Sequence, residues 1–434
     1  MLKIEKFILS GVLLLTQLSV WGQNNTASPY TRFGFGEIAD RSFGAGRAMG
    51  GVGIGLRSPE QINPMNPASY SCMDSLTFIF DFGASMKASS FKDQSNQYNH
   101  LSGNLEYIAL QFPITRWLAM SAGLLPYSFV GYKFGEVSTI GDETYQNTYS
   151  GTGGLNDLYG GLSIDIWKKR LAVGANFGFL FGNINHSQYL AFSSNDNSSS
   201  SSPYMNQRIR QMKVRDMKMD FGLQYTHPLS ATESLIFGLT YSPSNQLGVK
   251  TYDTIEKLSV TSSGTSVIES STDTIQGLRY DLPNSFGVGL SYMKIDKLLL
   301  AADFLYEDWS NASFMGEKTF QNRTRFAIGA QYEPNARAKN YFNRIRYRAG
   351  FHYGDSYIRV NQSEENGNKG YGYKEYGASL GLGLPLIDNR SIVNVSFEYV
   401  KVKPEHVSMI DEQYFRVTVN YTFNERWFFK FKLD

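Results

Sequence analysis

Chemistry in this 434-residue sequence is confined to five scattered histidines, one cysteine and a few charged residues set into alternating apolar stretches. His100, His186, His227, His352 and His406 form no His-x-x-x-His metal pair, and no Gly-x-Ser-x-Gly elbow presents a nucleophile. His186-Ser187 sets a base beside a hydroxyl as in a barrel hydrolase, yet neighbours on a strand point to opposite faces. Cys72 alone excludes a disulfide framework, a thiolate zinc cluster and a Cys-x-x-Cys redox pair. Gly44-x-Gly46 lacks the third glycine of a dinucleotide loop and follows no strand. No enzyme activity, metal or cofactor is therefore expected. The remaining candidates are Arg325, Arg346, Arg348 and Arg416, which share an alternation phase with Asp220, Asp303 and Glu398. Arginines on an enclosed face can hold the carboxylate head of a ligand, or pair with those acids and brace a wall.

The elements that would position them follow from composition and period. Lys plus Arg number 41 against 39 Asp plus Glu, a net charge of +2 that gives no electrostatic reason for a nucleic-acid partner. Lys3 and Lys6 precede an apolar stretch over 7–20 and then small residues up to Gly22. That order reads as a secretory signal, 1–22, too short for a permanent span. The 41 Gly, 28 Tyr and 30 Phe suit strands and tight turns.

From residue 76 onward the apolar residues recur at every second position, as in Phe415, Val417, Val419, Tyr421 and Phe423 against Arg416, Thr418, Asn420 and Thr422. Aromatics such as Tyr241, Tyr332 and Tyr399 end many apolar faces, as girdles at the two interfaces of a membrane would. The opposite faces carry glycine repeatedly, among them Gly174, Gly222, Gly238, Gly289, Gly350 and Gly381, which leaves room inside for something other than side chains. A two-layer soluble sandwich is the competing architecture. The segments are 76–91, 103–114, 117–134, 148–166, 171–192, 206–229, 233–250, 277–296, 297–311, 320–335, 345–362, 369–386, 391–402 and 411–433. Fourteen strands, with polar loops at 92–102, 135–147, 193–207 and 251–276 and mostly tight turns between them, predict an all-β fold: a transmembrane antiparallel barrel over 76–434 with both termini periplasmic.

Residues 23–75 do not alternate. Glycines let them bend, while Pro64, Pro67, Asn63 and Asn66 fix turns just before the first strand. Because a ring of fourteen strands encloses more space than its own side chains fill, this segment is expected to be a plug in the lumen. Arg32, Gly44, Gly46, Arg47, Asn63, Asn66 and Pro67 are its candidate functional positions.

Gly44-x-Gly46-Arg47-Ala48, the glycine-rich run after it and Asn66-Pro67-Ala68 resemble the long-chain fatty acid transporter (FadL/TodX-type) family of outer-membrane barrels, as a Bacteroides-like member whose basic end, 430–434, departs from the pattern. The resemblance implies a plugged fourteen-stranded barrel that takes up hydrophobic molecules, such as long-chain fatty acids, other lipids or hydrocarbons, and releases them sideways at a kink in the third strand. Gly123 and Pro126 are the candidate kink, because proline removes a ladder donor. The implied partners are a hydrophobic small molecule and the bacterial outer membrane with its lipopolysaccharide, by passive uptake without ATP. Two other readings stay open: a plugged barrel serving as adapter for a protein partner in secretion or surface attachment, through loops 193–207 and 251–276, and a barrel hydrolase.

Overall fold

The computed structural model describes residues 26–93, 96–140, 143–167, 169–193, 204–261, 264–360, 370–387 and 390–426. The expected signal, 1–22, the serine run 198–202 and the basic end 430–434 lie outside them. Among the described residues the strands are β1 (Glu37–Ile38), β2 (Thr77–Lys92), β3 (Gln97–Pro113), β4 (Leu118–Ile140), β5 (Glu143–Trp167), β6 (Leu171–Ser193), β7 (Tyr204–Pro228), β8 (Glu233–Ser242), β9 (Asn245–Gln246), β10 (Val249–Thr261), β11 (Gly264–Ile275), β12 (Asp281–Leu282), β13 (Ser285–Lys294), β14 (Leu298–Glu307), β15 (Arg323–Tyr332), β16 (Arg346–Asp355), β17 (Tyr373–Pro385), β18 (Ile392–Pro404) and β19 (Asp411–Arg426).

Fourteen of these, β2 to β8 and β13 to β19, form a closed antiparallel barrel. β19 returns to β2 through a ladder that runs from Asp411 opposite Lys92 to Arg426 opposite Thr77. The alternation explains why the wall forms. In β18, Phe397 and Tyr399 are 42% and 47% exposed, whereas Ser396 and Glu398 are 3% and 4% exposed. Phe82, Leu162, Phe221, Phe286, Phe304 and Leu380 repeat the outward pattern around the ring. An apolar outer face and a polar inner face are what a barrel in lipid requires. No helix among the described residues is long and apolar enough to cross a membrane, which says nothing against strands.

The wall is uneven in height. β4 to β7 run 23 to 25 residues, whereas β8, β13, β14, β15 and β16 have ten each. A crossing needs only about 9–11 residues, so the long strands stand well clear of the bilayer. Here the structure corrects three expected loops. Most of 92–102 is strand, since β3 begins at Gln97, and 135–147 is almost wholly the ends of β4 and β5. The stretch 251–276 is not an open loop but the hairpin β10–β11, with β10 paired to β7. All three carry polar residues on both faces, with apolar ones scattered among them. Beyond the bilayer both faces meet water, so the ladder continues after the hydrophobic period has vanished.

Candidate functional site

Residues 26–73 lie inside the ring, and the wall holds them by their backbone. Asp303 on β14 accepts hydrogen bonds from the backbone N–H of Gly53, Ile54 and Gly55 at 2.6, 2.7 and 3.2 Å. Successive N–H groups can converge on one carboxylate in this way only where the chain curls tightly. Asn66 caps a 3-10 turn (Pro67–Cys72) by accepting from the Ala68 N–H at 3.1 Å, and its amide donates to Ile54 O at 2.9 Å. Asn63 donates to Gly53 O at 2.6 Å and Leu56 O at 3.0 Å. The inward glycines receive this segment rather than empty space. A Cβ on Gly174, Gly238 or Gly350 would lie 2.4, 2.0 or 2.1 Å from the backbone of Pro67, Ile54 or Met49 and Gly50. Gly44 opens a short helix, α1 (Gly44–Ala48), against Asn420, and Gly46 packs on the Val52 carbonyl.

The charges of the segment are matched to the wall. Arg47 Nη2 lies 2.7 Å from Glu106 Oε2, and Arg325 Nη2 lies 2.9 Å from Asp40 Oδ2. Arg346 binds Glu60 at 2.6 Å and Glu333 at 3.0 Å. Arg41 meets Asp220 at 2.9 Å, and Lys87 meets Glu37 at 3.0 Å. Arg416 stands between Glu398 at 3.6 Å and Glu37 at 3.9 Å. Arg348 is buried with amide partners only, Gln331 at 2.7 Å and Asn394 at 2.5 Å. Three of the four candidate head-group arginines are thus engaged with protein carboxylates, and the fourth with amides. Sequence reading missed Glu37, Asp40, Arg41 and Glu60. Their signal was present: charges inside an otherwise glycine- and phenylalanine-rich enclosed stretch need partners on the wall.

One seam of the barrel differs from the rest. β3 and β4 pair over only six residue pairs, from Ile108–Leu124 to Pro113–Ala119. Above them the strands part, beginning within the depth of a bilayer. The β4–β5 register shifts between Pro126 and Ser128, with Tyr127 bulged out, and Gly123 lies within the six-pair ladder opposite Ala109. The unpaired edge of β4 is satisfied by the inner segment instead. Glu37 and Ile38, the residues of β1, pair with Phe129 and Ser128. Ala39 N–H donates to Tyr127 O at 2.9 Å. The Thr31 hydroxyl donates to Gly131 O and accepts from Gly131 N–H, both at 3.1 Å. Backbone groups that lose a strand partner must find another. Leu101, Leu105 and Ile108 flank the gap on the outside, all exposed. Behind it lies a polar cavity of about 60 Å³ among Lys87, Glu106, Phe129, His352 and Arg416, enough for a few waters.

Above the inner segment, beside the parted strand, sits an aromatic layer. Trp309 is fully buried, with ring centroids of Tyr357 at 4.4 Å and Phe320 at 5.6 Å. Phe35 meets Phe314 edge-on at 5.1 Å, and Tyr357 donates its hydroxyl proton to Gly36 O at 2.7 Å. Val130 and Tyr132 of β4 belong to the same cluster. Arg32, at the top of the segment, lies 4.0 Å over the Tyr149 ring. Among the described residues no group of three or more His, Cys, Asp or Glu is arranged to hold a metal.

A closed fourteen-stranded barrel whose lumen is occupied by its own N-terminal segment, with one short seam, defines a class of membrane-wall proteins. Solved structures of that shape include the toluene transporter TbuX of Ralstonia pickettii, at TM-score 0.56 and 15% identity over 90% of this chain and 99% of that one. A FadL homologue of Pseudomonas aeruginosa matches at TM-score 0.56 and 14% identity, again over 90% and 99%. The CymD monoaromatic hydrocarbon channel matches at TM-score 0.54 and 14% identity, over 92% and 99%. At such identities the likeness is one of fold. A model of the BamG family matches residues 1–434, and the chain belongs to that family. No curated protein matches. Membership in the fatty acid transporter family is therefore corrected to a shared barrel architecture, and nothing here supports a Bacteroides-like origin. The motifs that suggested it, Gly44-x-Gly46-Arg47 and Asn66-Pro67, seat the inner segment on the wall. That requirement comes from the fold and carries no ligand specificity.

Proposed function

We propose that the chain is an outer-membrane channel for small hydrophobic molecules, with 26–73 as its plug, the long-strand end outside and both termini periplasmic. The aromatic layer captures an apolar body, which gains about 25 cal/mol for each Å² removed from water. When the strip 37–39 leaves β4, the body passes sideways between β3 and β4 into the bilayer. Exit through the floor is disfavoured by the backbone contacts at Gly174, Gly238 and Gly350. The observation that carries the reading is the β4 edge, whose hydrogen bonds at Tyr127, Ser128, Phe129 and Gly131 go to the plug and not to β3. The hydrocarbon channels of similar fold support it at the level of substrate class. No catalytic step or cofactor enters.

A second reading, an adapter for a protein partner, has one observation of its own. β11 pairs with β10 alone among the described residues, and Val267 and Ile268 on it are exposed. An open strand edge can accept a strand from another chain. Mass spectrometry of the detergent-purified full chain separates the two. A retained hydrocarbon or lipid supports the channel; a stoichiometric protein, lost when 251–276 is removed, supports the adapter and counts against the channel.

A further inference from the structure

High on the tall flank, inside the ring and above the aromatic layer, is a cavity of about 220 Å³. Its floor is Arg32 of the inner segment, its sides are Tyr149, His186, Arg208 and Arg210, and Met315 closes it from the 308–322 connection. Three arginines share it with a single acid. Arg208 and Arg210 both bind Asp253, at 2.5 and 3.2 Å. Arg32 lies 4.0 Å over the Tyr149 ring and 5.6 Å over that of Phe134, and makes no ion pair or hydrogen bond among the described residues. The buried Nε of Arg210 has no acceptor. Asp253 can offset one of the three cations, so the cavity carries an excess of positive charge over aromatic and thioether walls.

His186 reports the same field. It stands fifteen residues beyond Leu171, the start of β6, and so outside the bilayer. Its pKa is pushed down to about 4, first by burial and then by Arg32 and Arg210. Its Nδ1 lies 2.7 Å from the Tyr132 hydroxyl, so the neutral ring is held in place as part of the wall. Drug-sized ligands occupy roughly 300–1,000 Å³, so this cavity takes something smaller.

We propose that this cavity is a binding site for a small organic anion with a flat apolar body, an aromatic carboxylate, its carboxylate received by Arg32 and Arg210 and its ring by Tyr149 and Met315. A guanidinium with no ion pair among the described residues and an unmet Nε–H supply the charge-assisted donors that a carboxylate requires. The residues used differ from those of the seam, so the site stands or falls apart from the passage proposed above. Because Arg32 belongs to the same segment as the strip 37–39, a bound anion would tie the top of that segment to β5 and β7.

Titration calorimetry on the full chain in detergent tests it, with benzoate as probe and toluene, acetate and inorganic phosphate as comparisons. Benzoate is expected to bind saturably, at least about tenfold tighter than each of the other three. Arg32→Ala with Arg210→Ala should weaken benzoate about tenfold or more, and Met315→Trp, which fills the cavity and leaves every charge in place, should do the same. Unchanged thermal unfolding of Met315→Trp keeps the test independent of any folding defect in the arginine variant. The proposal is overturned if benzoate fails to bind, if toluene or phosphate binds as well, or if Met315→Trp leaves its affinity unaltered.

Discussion

The β2–β3 hairpin is flanked by two seams of opposite construction. On one side β19 meets β2 along the whole of both strands, and inward side chains cross-link the ladder: Asn420 and Thr422 of β19 donate to Asp81 of β2 at 2.9 and 3.0 Å. On the other side β3 leaves β4 after six pairs, and the exposed edge is finished by a strip of the inner segment. One seam is held by the wall itself. The other is held by a piece of chain that is itself fastened by side chains, among them Lys87 to Glu37, Arg325 to Asp40, Tyr357 to Gly36 and Thr31 to Gly131. A barrel normally has no edge to open. Here the wall of the barrel leaves an edge on β4, and the inner segment covers it.

The comparison can be broken most severely at Gly36. Its φ is +90°, and a Cβ there would sit 2.3 Å from Phe129 O, so Gly36→Val must push the strip off β4. Conductance of the purified protein in planar bilayers should rise about tenfold or more; unaltered conductance would mean the strip does not close the seam. Lys87→Met removes the nearer of two cations facing Glu37, leaving Arg416 at 3.9 Å, and should cost about 1–3 kcal/mol. Protease cleavage within 26–40 should then appear well before the barrel unfolds. Simultaneous loss of both would show the strip to be part of one cooperative unit.

Pro126→Ala restores a ladder donor at the register shift in β4. It should straighten the strand and slow toluene uptake by cells a few-fold without harming insertion, and faster uptake would contradict the assigned exit. The smallest effect sharpens the contrast. Met86→Cys with Val417→Cys bridges directly opposed residues of the fully paired seam. Oxidising that pair should leave uptake unchanged, and a marked fall would mean that the two seams breathe alike.

How much of this was legible depends on whether the information is local. The order and number of barrel strands could be read because Phe397, Tyr399, Phe415 and Val419 face outward while Ser396, Glu398, Thr418 and Asn420 are buried, and lipid enforces the alternation along each strand separately. The strand ends at 97–102 and 135–147 and the hairpin β10–β11 were missed because water on both faces erases that period. Proline and glycine mark the bend in β4, since their backbone effects are intrinsic to the residue. The pairing of Asp40 with Arg325, or of Glu60 with Arg346, links positions nearly 300 residues apart and leaves no trace in either neighbourhood. Hence the arginines could be placed on the inner face, yet the choice between ligand and brace could not be made before their partners were known. The edge-capping role of 37–39 was invisible for the same reason: two extended residues become a strand only because β4 lacks a neighbour there.

The most direct test closes the short seam covalently. Ile38→Cys with Ser128→Cys, residues directly opposed across β1 and β4, in a Cys72→Ser background, can be oxidised and reduced in the same cells. The account predicts that toluene uptake falls to the level of cells lacking the protein when the disulfide forms, and returns when it is reduced. Uptake that continues unchanged through the oxidised barrel would contradict it.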